Sequence, residues 1–123
     1  MQVVGSHNSD IIVSQATPPG LGAISLIRFS GQSLELLFKK FTRKVPKNRI
    51  ATFSKIFHPI TNHTLDESII TFFRGPQSFT GEDVIEISCH GGLSVSSSII
   101  SAAIEYGARQ SDPGEFSYRG FLN

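Results

Sequence analysis

A chain of 123 residues has room for one hydrophobic core and not for two, since a domain of this size buries roughly two thirds of the surface that its unfolded chain exposes. Hydrophobic residues at 39%, ten phenylalanines and a charged fraction of 17% exclude a disordered or coiled-coil chain, and the lone Cys89 excludes an internal disulfide framework or a cysteine-based zinc cluster. The net charge of +1 gives no overall attraction for nucleic acid, the opening Met1 to Asp10 has no apolar stretch of signal-peptide length, and no later stretch could cross a bilayer, so the expected setting is soluble and cytoplasmic, with no membrane partner.

In chain order, residues 1–9 form an expected flexible lead-in and 10–123 a single domain. Ile11 to Ala16 predicts a short strand, which Thr17-Pro18-Pro19-Gly20-Leu21-Gly22 breaks, because proline fixes φ and glycine accepts positive φ. Ala23 to Phe29 predicts a second strand. Ser30 is then placed to cap a helix whose Leu34, Leu37, Phe38 and Phe41 recur at helical spacing. Six of the eleven basic residues, Lys39, Lys40, Arg43, Lys44, Lys47 and Arg49, gather at and beyond the end of that helix. A solvated helix end, its cations set well against the dipole, is the simpler reading; a patch for nucleic-acid phosphates is the other.

Arg49 to His58 and Ser68 to Arg74 are rich in β-formers and are expected to pair antiparallel across the connection Pro59 to Asp66. Gly75 to Gly81 is a polar loop, and Asp83 to Cys89 alternates as a strand does. Ser94 to Tyr106 predicts a helix with Ile99, Ile100, Ala103 and Ile104 inward, ended by Gly107. Asp112-Pro113-Gly114-Glu115 has the order of a helix start: a capping aspartate, a proline in the first turn and the glutamate of a capping box. About two turns after this start is shorter than an isolated helix sustains, so more protein is expected beyond Asn123.

Two charges interrupt the strand alternation. Ile24, Leu26 and Arg28 share one face of their strand, and Val84, Glu86 and Ser88 share one face of theirs, which sets an arginine and a glutamate beside apolar neighbours. A charge stripped of water must be paired or hydrogen-bonded. From the pattern, Arg28 and Glu86 either pair with each other or reach a ligand, the arginine clamping an anionic group and the glutamate accepting two N–H donors. The loop from Gly75 to Asp83 lacks the lysine that a phosphate-binding P-loop requires, and it reads equally as an ordered surface loop or as one that closes over a ligand. Cys89-His90-Gly91-Gly92 suggests a strand end and turn rather than a nucleophile or a metal site, and Glu115 a helix cap rather than an acid catalyst; no catalytic residue and no metal ligand is assigned.

Three ordered segments carry a family resemblance: 16-ATPPGLGAI-24 leading to Ile27-Arg28-Phe29-Ser30-Gly31; 78-SFTGEDVIEISCHGG-92; and Gly107-Ala108-Arg109 with 113-PGEFSYRGFLN-123. With Asp66-Glu67 they span nearly the whole chain from Asp10 and leave the basic segment unmatched. The chain resembles the amino-terminal domain of the MnmE (TrmE) family of tRNA modification GTPases; Gly120 stands where that family usually has alanine, and Ser117-Tyr118 varies a usual Thr-Lys or Ser-Glu. The resemblance implies an α+β fold, a mostly antiparallel sheet with about three helices, similar to the tetrahydrofolate-binding domain of the glycine-cleavage aminomethyltransferase. It further implies a homodimer and a bound tetrahydrofolate derivative, 5-formyl- or 5,10-methylene-tetrahydrofolate, held by Arg28 and Glu86, the pterin edge donating to the carboxylate. A third contact, a lysine, would fall past Asn123. In such proteins a helical domain and a GTPase domain that uses GTP, potassium and magnesium follow, and the flavoprotein MnmG (GidA) is the partner in modifying the tRNA wobble uridine at C5. Two further readings stand beside this one: a tRNA-contacting module through the Lys39 to Arg49 patch, and a stand-alone folate-dependent one-carbon transferase.

Overall fold

The computed structural model describes residues 10–17, 24–91 and 93–123. The expected lead-in 1–9 and most of the Thr17 to Gly22 loop lie outside the described residues. Six strands, β1 (Ile12–Gln15), β2 (Ile24–Gly31), β3 (Thr52–Phe57), β4 (Thr64–Phe73), β5 (Asp83–His90) and β6 (Arg109–Gln110), are accompanied by α1 (Glu35–Thr42), α2 (Leu93–Tyr106) and α3 (Glu115–Leu122). The strands form one sheet in the order β3-β4-β5-β2-β1-β6. Every pairing is antiparallel except β1 with β6, so the fold is α+β, as expected.

Apolar side chains set the register. Ile27 faces Ile87 and Phe29 faces Ile85 across β2 and β5, while Ile70 and Phe72 of β4 face the same two isoleucines from the other side. A slip of one residue would turn this whole row to solvent. The face so made is covered by α1, whose Leu37, Phe38 and Phe41 are buried together with Leu34 just before it, and by Ile99, Ala102 and Ala103 of α2. Ring contacts Phe29 to Phe41 at 5.4 Å and Phe38 to Phe72 at 5.8 Å join helix to sheet.

Four local expectations are corrected. Ser30 does not cap α1, because β2 keeps pairing as far as Gly31; the orphan N–H of Leu34 instead donates to Asp83 Oδ2 at 3.1 Å. The connection after β3 is shorter than Pro59 to Asp66, since β4 already begins at Thr64; His58 Nδ1 closes the turn by accepting the N–H groups of Ile60 and Thr61 at 3.1 and 3.2 Å. Ile104 is 44% exposed, as one step past Ala103 turns it about 100° out of the inward stripe, and Ala102 takes its place. At α3, Pro113 precedes the helix and the Asp112 side chain does not cap it, because Gly114 occupies the cap position with φ 75. The Asp112 N–H does donate to Glu115 Oε1 at 2.9 Å, but ahead of the helix, where it braces the turn into α3 and is not a capping box.

Asp83 has a second acceptor role, taking the Gly75 N–H on Oδ1 at 2.9 Å, and is itself 8% exposed. Asp83→Asn would turn one of these oxygens into a donor facing an N–H, and a loss of about 1–2 kcal/mol is expected in urea unfolding followed by circular dichroism.

Candidate functional site

Because Ile27, Phe29, Ile85 and Ile87 point to the helices, Arg28 and Glu86 must point to the opposite face, and the register makes them direct cross-strand partners. Their faces are as the alternation predicts. Arg28 donates through Nε and Nη2 to the same oxygen, Glu86 Oε2, at 2.9 and 2.8 Å, and each side chain is 25% exposed. The pair therefore consumes one carboxylate oxygen. Among the described residues nothing bonds the other, Oε1, or the Nη1 of Arg28. The simple mutual pairing is real, and it leaves an acceptor and a donor to spare.

Phe79 stands over this pair. Its ring centroid lies 5.3 Å from the Arg28 guanidinium carbon, and 57% of the residue remains exposed. It divides two clefts: one of about 320 Å³ includes Glu86, Val84, Phe73, Gln77 and Arg49 in its lining, and one of about 410 Å³ includes Arg28, Ser14 and Gln110. A larger cavity of about 640 Å³ lies along α3 and touches neither Arg28 nor Glu86; its exposed Tyr118 and Leu122 make it a surface hollow rather than a part of this site.

The loop that carries Phe79 is pinned along its length. Ser78 Oγ donates to the Glu82 carbonyl and accepts the Gly81 N–H at 3.1 Å; Ser30 Oγ meets Thr80 Oγ1 at 2.6 Å and donates to Glu82 Oε1 at 2.7 Å. A Cβ on Gly120 would sit 2.7 Å from the Phe79 carbonyl oxygen, so a glycine at this position is what lets α3 come against the loop.

Behind the loop runs a chain of charges that residue patterning did not reveal. Arg109 donates to Asp10 Oδ2 at 2.8 Å and, as a fork, to both oxygens of Glu115 at 3.0 and 2.6 Å; Arg119 joins Glu115 at 3.3 Å to Glu82 at 2.9 Å. Burial alone would push the Glu115 carboxyl up, but the Arg109 fork, the Asp112 N–H and both arginine charges hold it down at about 2, well below its ordinary 4.5. The same bonds keep the Arg109 guanidinium firmly charged. Glu115 is thus an ion-pair hub at the first residue of α3, and the i to i+4 spacing of Glu115 and Arg119 was the signal for it.

The other candidates take structural roles. Cys89 lies in the core, where burial first and the Asp66 charge second raise its thiol to about 11, so it is no nucleophile at neutral pH. His90 points the other way, is exposed, and shares its Nδ1 with Asp66 Oδ1 at 3.0 Å; burial opposes the Asp66 charge, yet the Ser68 hydroxyl and His90 hold that carboxyl below its usual range. Among the described residues no group of three or more metal-ligating side chains gathers. Within the basic segment Arg43 stacks 3.7 Å above the Phe57 ring and Arg49 lies 5.2 Å from that of Phe73, while both arginines and all four lysines remain exposed.

Fold and paired charges together define an α+β domain with a polar, aromatic-roofed site on the open face of its sheet. The chain belongs to the family described as GTP-binding protein TrmE N-terminus, which matches residues 11–123 and so includes the basic segment that the three motifs left out. Among its curated relatives is the tRNA modification GTPase MnmE of Francisella philomiragia, 44% identical over 117 residues, or 95% of this chain and 26% of the relative. The protein of the same name from Aliarcobacter butzleri is 44% identical over 116 residues (94% and 26%), and that from Latilactobacillus sakei is 41% identical over 118 residues (93% and 26%). The chain spans about a quarter of the length of these relatives.

Proposed function

We propose that this domain binds a tetrahydrofolate one-carbon donor against the Arg28–Glu86 pair and joins two copies of the protein, as the folate-binding and dimer-forming part of a tRNA modification GTPase. The observation that carries the reading is the three-quarters-buried Arg28–Glu86 pair with one carboxylate oxygen unspent beside a cleft. The residues fit the group: a flat pterin offers adjacent N–H donors to Glu86 Oε1 and a face to Phe79, and Arg28 Nη1 is available to a carbonyl or carboxylate. When bound, the folate would supply the carbon unit; the chain's own part is to orient the ring and keep water from its donor edge. We take the domain to be similar in fold to the tetrahydrofolate-binding domain of the glycine-cleavage aminomethyltransferase.

Dimerisation is supported by the open sheet face itself. The register places Phe53, Ile69, Ser88 and Leu26 in one row across four strands, and Phe53 and Ile69 are 67% and 46% exposed, with Ile24 at 58% nearby. An apolar row of this kind marks a contact surface. In the whole protein we assign GTP hydrolysis with potassium and magnesium to other domains, MnmG (GidA) as partner, the wobble uridine of tRNA as substrate and the cytoplasm as setting. Among the described residues, no helix is long and apolar enough to cross a membrane.

Titration of 5-formyltetrahydrofolate tests the reading. Binding is expected, and Glu86→Gln should weaken it roughly 10- to 100-fold, the cost of an unmatched donor on the ligand. Absence of binding, or an affinity unchanged in Glu86→Gln, would overturn it.

A further inference from the structure

We propose that Arg49 receives a carboxylate on the tail of the ligand whose ring edge meets Glu86, so that the cleft between them selects a flat heterocycle with an anionic tail. The inference rests on the folate-site reading and extends it to a residue that none of the three motifs contains.

Arg49 is held in place by its backbone. Its N–H donates to the Phe72 carbonyl at 2.7 Å, the neighbouring Asn48 pairs with Phe72 as an extra parallel rung and accepts the Arg74 N–H at 2.8 Å, and Arg49 takes a left-handed conformation with φ 65. Few residues other than glycine adopt that conformation without cost, and here it turns the side chain back over β4. The guanidinium lies 5.2 Å from the Phe73 centroid and donates through Nη1 to the Gln77 carbonyl at 3.1 Å. One nitrogen is thereby spent. The Nε and Nη2 edge, the edge that grips a carboxylate with two parallel bonds, has no partner among the described residues.

The contrast with the other arginines is informative. Arg28, Arg74, Arg109 and Arg119 each have a carboxylate within 3.5 Å, whereas among the described residues no acidic group pairs with Arg43 or Arg49, and of these two only Arg49 shares a cleft lining with Glu86. Its cleft has a carboxylate, Glu86, and a guanidinium, Arg49, in one lining, with Phe73, Phe79 and Val84 as apolar walls. Glu86 repels a purely anionic ligand and Arg49 a purely cationic one. A molecule with N–H donors at one edge, a flat middle and a carboxylate at the far end satisfies both.

The test uses the full chain and two probes, 5-formyltetrahydrofolate and its glutamate diamide, which differ only in the tail charge. Arg49→Gln should weaken the acid about tenfold and the diamide less than about twofold, and Arg49→Lys, which keeps charge but loses the fork, should fall between. Glu86→Gln should weaken both probes by the same factor. Equal effects of Arg49→Gln on the two probes, or none, would overturn the role of Arg49 while leaving the Glu86 site standing; no binding of either probe to the wild type would overturn both.

Discussion

Replacing Arg119 by methionine is expected to destabilise the protein by about 3–5 kcal/mol, the cost of leaving a buried charge without its partner. The Arg119 side chain is 10% exposed, and its Nη1 donates both to Glu82 Oε1 at 2.9 Å and to the Asp10 carbonyl at 3.2 Å. Methionine keeps the apolar stem but not the charge. Glu115 would still hold the Arg109 fork, whereas Glu82, 11% exposed, would keep only the Ser30 hydroxyl. The loss should therefore appear as a lower midpoint in urea unfolding, and removal of the stranded charge in Arg119→Met/Glu82→Gln should restore part of it. A single variant within about 1 kcal/mol of the wild type would mean that water already reaches this pair.

The consequence for the site is mechanical. Glu82 ends the loop that carries Phe79, Thr80 and Ser30 tie that loop to β2, and Asn123 at the end of α3 donates to the Thr80 carbonyl at 3.1 Å. The aromatic roof over Arg28 and Glu86 is thus positioned by α3 through charges outside the Arg28–Glu86 pair. A loose α3 would free Phe79 without altering either residue beneath it.

Much of this was legible in the residues, for a specific reason. Period-two alternation is a local property, so it placed Arg28 and Glu86 on like faces of their strands, and the helical spacing of Leu34, Leu37, Phe38 and Phe41 marked the α1 face correctly. Contacts between segments distant in sequence left no such trace. Asp83 caps α1 from 49 residues away, and Arg109 meets Asp10 across 99; Ser30 was the better local candidate for the cap and was already taken by the sheet. Arg49 was hidden differently: in sequence it is one cation among six, and only its left-handed backbone and the rung at Asn48 separate it from the lysines before it.

Acid should expose the second large effect, at Glu115. Its carboxyl titrates at about 2 in the folded chain against an ordinary 4.5, so the unfolded state takes up a proton first as pH falls. A group depressed in this way stabilises the fold fully above about pH 4.5, and that contribution, on the order of 3 kcal/mol, drains away as the pH drops towards 2. Arg109 stays charged throughout the window and adds no slope of its own, and Asp66, also depressed, titrates alike in any comparison at fixed Asp66. Glu115→Gln, which cannot ionise, should be less stable than the wild type at pH 7 and equal to it near pH 2. Urea midpoints measured across that range should converge for the two proteins on the acid side; parallel curves, with the gap at pH 7 preserved at pH 2, would show that Arg109 and Arg119 hold Glu115 by shape and not by charge.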